Sequence, residues 1–238
     1  MKHLFTAWLR TAAAVALLTA CLAQAASLPL PWCANADAGD NSRPAAVSAD
    51  RRWILAVDAT QESLALFDKH LNLVRRYPLL TREGQTTGAV QLIVDASPRN
   101  SFIVVTRDAP EVWEISYDPN ADPIFDGLVH DYRMGEGLAR PGFLGLRRTL
   151  LRQALATPYF TADYRTLISI SKNAGSDSAQ ARIVNLDVRR EIATVTLAQG
   201  PQSNLPFAVT ADGRTWHAHS GPTPAPESTQ RLMGYCTP

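Results

Sequence analysis

One six-residue pattern occurs three times in this sequence and constrains the fold more than any other feature. It reads apolar, Ser or Thr, Ala, Asp, any residue, Arg. The copies are Val47-Ser48-Ala49-Asp50-Arg51-Arg52, Phe160-Thr161-Ala162-Asp163-Tyr164-Arg165 and Val209-Thr210-Ala211-Asp212-Gly213-Arg214. A worn copy stands at Asp95-Ala96-Ser97-Pro98-Arg99-Asn100. The pattern predicts a tight turn between two strands, because Asp can bond its own backbone two residues on. A run of strand formers follows each copy. A unit recurring at a fixed period marks a repeat architecture.

The spacing sets the size of the unit. Asp163 and Asp212 are 49 residues apart, enough for four strands and a loop. Asp50 and Asp163 are 113 apart, enough for two such units and an insertion. The first unit holds Trp53–Val57, Ser63–Phe67 and Asn72–Tyr77. The second holds Val90–Val94, Phe102–Thr106, Val112–Tyr117 and an outer strand within Phe143–Leu150. The third holds Tyr159–Thr161, Leu167–Ile170, Ala181–Leu186 and Ile192–Leu197, and the fourth Phe207–Thr210, Thr215–His219 and Gln230–Cys236. Four-stranded units at this period are propeller blades. The expected fold is therefore all-β: a propeller of about four blades of four antiparallel strands, or half of an eight-bladed one. It occupies residues 43–238, with a loop insertion at 118–141.

The first 25 residues read as a signal peptide. Lys2 and Arg10 precede the apolar stretch Thr11–Ala20, and Ala23-Gln24-Ala25 offers a small-residue cleavage site. Leu18-Thr19-Ala20-Cys21 also resembles a bacterial lipobox, in which Cys21 would be lipidated and tether the protein to a membrane. Either route predicts a periplasmic protein, free or anchored. Residues 26–42 form a Pro- and Ala-rich leader. Beyond the signal region the cysteines are Cys33 and Cys236, one near each end. In an oxidising compartment two such thiols pair. The bridge would close nearly the whole domain and stabilise it by at most roughly 5 kcal/mol. The alternative is two free thiols or a bond to another chain. A formal net charge of +1 offers no electrostatic case for nucleic acid.

Three stretches resemble the cytochrome d1 propeller group: Glu111 to Pro119, Asp126 to Gly137, and Val184 to Arg190. The likeness runs from about Ala46 to Leu197. It implies a periplasmic propeller related to haem d1 nitrite reductase and to the proteins that mature that haem. It also implies haem d1 or a related tetrapyrrole as the cofactor to test. Full members have about twice as many blades. Where the reductases place histidines over the haem, this chain has Thr157-Pro158-Tyr159 and Val209-Thr210. It has no Cys-x-x-Cys-His for covalent haem. The resemblance therefore implies a shortened member without the nitrite-reducing histidines.

The candidate ligand-binding residues lie in the insertion: His130, Asp131, Tyr132, Arg133 and Glu136. His130 could ligate iron or move a proton, and Arg133 could clamp a carboxylate. The bland alternative pairs Asp131 with Arg133 in a loop folded over the blade. His217 and His219 stand two apart on a predicted strand and are weak metal candidates, with no third ligand nearby in sequence. Four double-arginine pairs, Arg51-Arg52, Arg75-Arg76, Arg147-Arg148 and Arg189-Arg190, could attract an anion, or could simply protect sheet edges. Trp53, Trp113 and Trp216 are expected between blades. No phosphate loop, nucleophile elbow or carboxylate couple is present, so no catalytic residue is assigned. The function expected is a noncatalytic exported binding protein for a tetrapyrrole, a small anion or a protein partner. Two alternatives are a haem d1-related enzyme or maturation factor using His130, and a half-propeller acting as a homodimer.

Overall fold

The structure is a computed structural model that describes residues 44–125, 139–172, 175, 178–198 and 205–221. These residues form three four-stranded antiparallel meanders and one two-stranded hairpin. Sheet one is β1 (Ala45–Val47), β2 (Trp53–Val57), β3 (Ser63–Asp68) and β4 (Leu73–Pro78). Sheet two is β5 (Val90–Ala96), β6 (Ser101–Thr106), β7 (Glu111–Ser116) and β8 (Leu146–Leu150). Sheet three is β9 (Thr157–Phe160), β10 (Thr166–Lys172), β11 (Ala179–Asn185) and β12 (Arg190–Leu197). The hairpin is β13 (Phe207–Ala211) and β14 (Arg214–Ala218). In each sheet the strands lie in sequence order. This is the all-β blade pattern of a propeller.

The apolar pattern stacks the sheets face to face. Along β6, Phe102 and Val104 point to sheet one, while Ile103 and Val105 point to sheet three. That two-sided burial is why the strand reads as an unbroken apolar run. Leu55, Leu64, Leu66, Phe102, Trp113 and Ile115 fill the first interface. Val105, Val112, Phe160, Leu167 and Val184 fill the second. Ile168, Ile183, Val209 and Ala218 fill the third. Each such fully buried large side chain contributes about 1.5–3 kcal/mol. The hairpin's other face carries Ala208, Thr210, Thr215 and His217, all exposed. The strand expected at Gln230–Cys236 in the fourth blade lies outside the described residues, as do Cys21 and the Cys33–Cys236 pair.

Two of the repeat turns are the same object. Ser48 Oγ donates to Asp50 Oδ1 at 2.6 Å, and the Arg52 N–H donates to the same oxygen at 3.0 Å. Thr161 Oγ1 and the Arg165 N–H repeat both bonds to Asp163 at 2.6 and 3.0 Å. Arg51 and Tyr164 take the left-handed conformation at φ 57° and 54°. The third copy departs. Asp212 and Gly213 are both left-handed, at φ 48° and 72°, and form a two-residue hairpin turn between Ala211 and Arg214. An Asp-Gly pair favours that turn, and Gly213 supplies the freedom Arg51 and Tyr164 lack. The worn copy also differs. Asp95 lies within β5 and accepts the Tyr117 hydroxyl at 2.6 Å, and the turn itself is a 3-10 segment, Ser97–Arg99, closed by left-handed Asn100.

The paired turns give the fold an acid-sensitive component. Partial burial works against the charge on Asp50 and Asp163. Hydrogen bonds from Ser48 or Thr161 and from the backbone, together with Arg52 or Arg165, outweigh it and hold both carboxyls below the usual range. A depressed folded value means the stabilisation is present above about pH 4 and is lost as pH falls through the folded value. The urea midpoint is expected to fall between about pH 5 and about pH 2, and Asp163→Asn should flatten that limb. An unchanged slope in Asp163→Asn would remove this turn from the acid response.

Candidate functional site

The insertion springs from the end of β7 and returns to β8. The structure places its start and its return; His130, Asp131, Tyr132, Arg133 and Glu136 lie outside the described residues. Ile124 and Arg140 exchange both backbone hydrogen bonds, at 2.8 and 2.9 Å, and pinch the insertion into a neck. Gly142 and Gly145 allow the close chain passage there. A Cβ on Gly142 would stand 2.1 Å from the Asp122 carbonyl, and one on Gly145 2.2 Å from the Pro141 carbonyl.

The returning limb is fastened to sheet one. The Leu144 carbonyl accepts the Tyr77 hydroxyl at 2.8 Å and Arg75 Nη1 at 2.6 Å. Phe143 meets Trp53 edge to face at 5.9 Å between ring centroids. Burial pushes the Tyr77 phenol up to about 12, against the pull of neighbouring Arg75, so the hydroxyl remains a donor at neutral pH. Leu144 itself is left-handed at φ 52°, a strained state for a bulky residue.

Between the outer strands β4 and β8, under this limb, lies a groove of about 400 Å³. Arg75, Arg76, Arg140 and Arg148 line it, with Tyr77, Pro78, Leu80, Ile124, Pro141 and Leu146. The Arg75-Arg76 doublet thus meets Arg148 across sheets, while Arg147 lines a cleft between sheets two and three and Arg51-Arg52 and Arg189-Arg190 stand elsewhere. Arg76 pairs with Asp58 at 3.1 Å. Arg148 pairs with Glu111, lies over the Trp113 ring at 4.5 Å and donates to the Leu80 carbonyl at 3.0 Å. Glu111 is buried and also accepts from Trp113 Nε1 and the Arg82 N–H, both at 2.8 Å. Arg75 meets a neutral carbonyl, so its charge is not answered by that bond. The groove is cationic with apolar walls, suited to an amphipathic anion.

The other candidates separate from it. His217 and His219 are both exposed, and among the described residues no cluster of three His, Cys, Asp or Glu could hold a metal. The tryptophans lie as expected between sheets, Trp113 fully buried and Trp53 and Trp216 partly so. A second cleft, of about 410 Å³, lies between sheets two and three. There Arg99 ties Glu114 at 3.0 Å and Asp187 at 2.5 Å, and Arg165 also reaches Asp187 at 3.2 Å. Five carboxylates face three arginines there, so this cleft is acidic where the groove is cationic. Past β14 the chain turns onto the free edge of β9: the Phe160 N–H donates to the Ser220 carbonyl at 2.8 Å, and the His219 N–H to the Phe160 carbonyl at 2.8 Å. Arg140 carried no motif in the sequence. Glu111 opened a stretch that resembles the d1 group, but nothing in it marked Glu111 as an acceptor; the local trace of that role was its place on the same strand face as Trp113, two residues on.

Residues 30–126 match the family model of the cytochrome D1 heme domain. The dihydro-heme d1 dehydrogenase of Pseudomonas aeruginosa is 29% identical over 182 residues, 76% of this chain and 32% of that protein. Over these stretches the chain is similar to the cytochrome D1 heme domain. It spans about a third of the length of this curated relative. Among solved structures it is similar to dihydro-heme d1 dehydrogenase NirN in complex with DHE, with TM-score 0.47, 26% identity, and coverage of 72% of this chain and 31% of that one. It is also similar to Kuenenia stuttgartiensis hydrazine synthase, with TM-score 0.37, 14% identity, and coverage of 74% and 44%. The match to the family model takes in β4 and Ile124 of the groove; Arg140, Leu146 and Arg148 lie beyond it.

Proposed function

We propose that this chain is an exported, noncatalytic propeller that binds a carboxylate-bearing tetrapyrrole of the haem d1 kind. The observation that carries the reading is the groove between β4 and β8, where four guanidiniums stand beside apolar walls. A tetrapyrrole offers the complement: an apolar ring edge bearing carboxylates. Guanidinium and carboxylate form strong charge-assisted hydrogen bonds. The residues fit the carboxylates of such a group; Arg75, Arg76 and Arg140 would hold them. When bound, the tetrapyrrole would bring its own electronic chemistry, and the chain's part would be to bind and orient it. Residues 1–25 would export the protein, and Cys33 with Cys236 would join its ends.

Titrating the purified protein with haem tests the reading. A shifted Soret band is expected, and Arg140→Gln and Arg76→Gln should each weaken binding about tenfold, the equivalent of one charge-assisted contact. His130→Ala should leave the shift in place. A Soret band that never moves, or one indifferent to both arginines, would refute the proposal. A shift lost only in His130→Ala would move the site to the insertion.

A further inference from the structure

Resting on the tetrapyrrole reading above, we infer that the groove reads the ligand's carboxylates and is indifferent to the metal at its centre. The lining residues include four Arg and no His, Cys, Met, Asp or Glu, so among the described residues facing the groove none is a ready ligand for a ring-bound iron. The Tyr77 phenol is engaged as a donor to Leu144 and stays protonated far above neutral pH, which removes phenolate ligation as well. Charge, by contrast, is plentiful. Asp58 answers Arg76 and Glu111 answers Arg148, while Arg75 turns one N–H to a neutral carbonyl and keeps other donors on its fork.

Size points the same way. About 400 Å³ lies near the lower end of pockets that enclose a drug-sized ligand. The groove therefore takes one carboxylate-bearing edge of a macrocycle and leaves the ring centre outside. Pro78, Leu80, Ile124, Pro141 and Leu146 cover the apolar part of that edge. The ligand class is then the polycarboxylate tetrapyrrole, with or without its metal. Such a protein would accept the ring on either side of a metal-insertion reaction.

The test uses the full purified chain and three porphyrins, uroporphyrin, coproporphyrin and mesoporphyrin, in falling order of carboxylate number. Each is titrated metal-free and zinc-loaded, and binding is read by fluorescence. Uroporphyrin is expected to bind about tenfold or more tighter than mesoporphyrin. Zinc should change each Kd by less than about threefold. Arg140→Gln and Arg76→Gln, both at exposed positions, should flatten the dependence on carboxylate number, and added salt should weaken all binding. A flat series, or zinc forms bound more than about tenfold tighter, overturns the inference while leaving tetrapyrrole binding in place. Uptake of benzene hexacarboxylate that is sensitive to Arg140→Gln, with no porphyrin bound, overturns the tetrapyrrole reading instead. No uptake of any of these anions overturns both.

Discussion

Replacing Glu111 with Ala is expected to lower the stability of the protein by about 3–5 kcal/mol, the range found when one member of a buried ion pair is removed. The side chain is 1% exposed and is the common acceptor for Arg148, the Trp113 indole and the Arg82 amide. Its loss leaves a half-buried guanidinium and two N–H groups without their partner. Denaturant unfolding followed by tryptophan fluorescence gives the number directly. The double replacement Glu111→Leu with Arg148→Met should recover part of the loss, because no buried charge is then left alone. Glu111→Gln carries a second, opposite readout. With its counter-charge gone, Arg148 presents more positive charge to the groove, so anion binding should tighten while stability falls. A loss under about 1 kcal/mol in Glu111→Ala would show that water satisfies the cluster.

The second large effect is expected at Phe160, fully buried where sheets two and three meet and tilted against the Tyr164 ring at 5.4 Å between centroids. Phe160→Ala should destabilise by about 3–5 kcal/mol through the cavity it opens. The backbone of Phe160 also holds the crossing at Ser220, so the loss should reach sheet three and the hairpin before sheet one. Hydrogen exchange resolves this. Amides of Leu167 and Val184 should lose protection most, and those of Leu55 and Leu66 least. An equal loss everywhere would mean that the sheets open as one unit, against the successive-interface picture of the fold.

The sequence carried the strands well because their cause is local. Alternation along β7 puts Trp113 and Ile115 on one face whatever surrounds them, and the two-sided run in β6 announces a sheet covered on both sides. It carried two of the three repeat turns for the same reason: Ser48 with Asp50, and Thr161 with Asp163, act within four residues of each other. The third copy misled because one residue outweighs the pattern. Gly213 opens a two-residue turn that Asp212 then joins. Asp95 misled because a distant partner, the Tyr117 hydroxyl, claims it for the strand. The candidate site was half legible. The doublets Arg75-Arg76 and Arg147-Arg148 were visible as charge, but nothing local says that Arg75, Arg76 and Arg148 share a groove while Arg51-Arg52 stands apart.

By itself, then, the chain determined what short-range sterics, hydrogen bonding and apolar periodicity can determine. It specified an all-β repeat, the position of most strands and the likeness to d1 propellers. The tertiary structure alone decided which charges meet. Arg75 and Arg148 lie on strands of different sheets, and Arg140 reaches them only because Ile124 pinches the neck and the Leu144 carbonyl is held by Tyr77 and Arg75. Contacts of that kind depend on how sheets stack, and stacking is set by the summed fit of many side chains rather than by any one stretch of sequence.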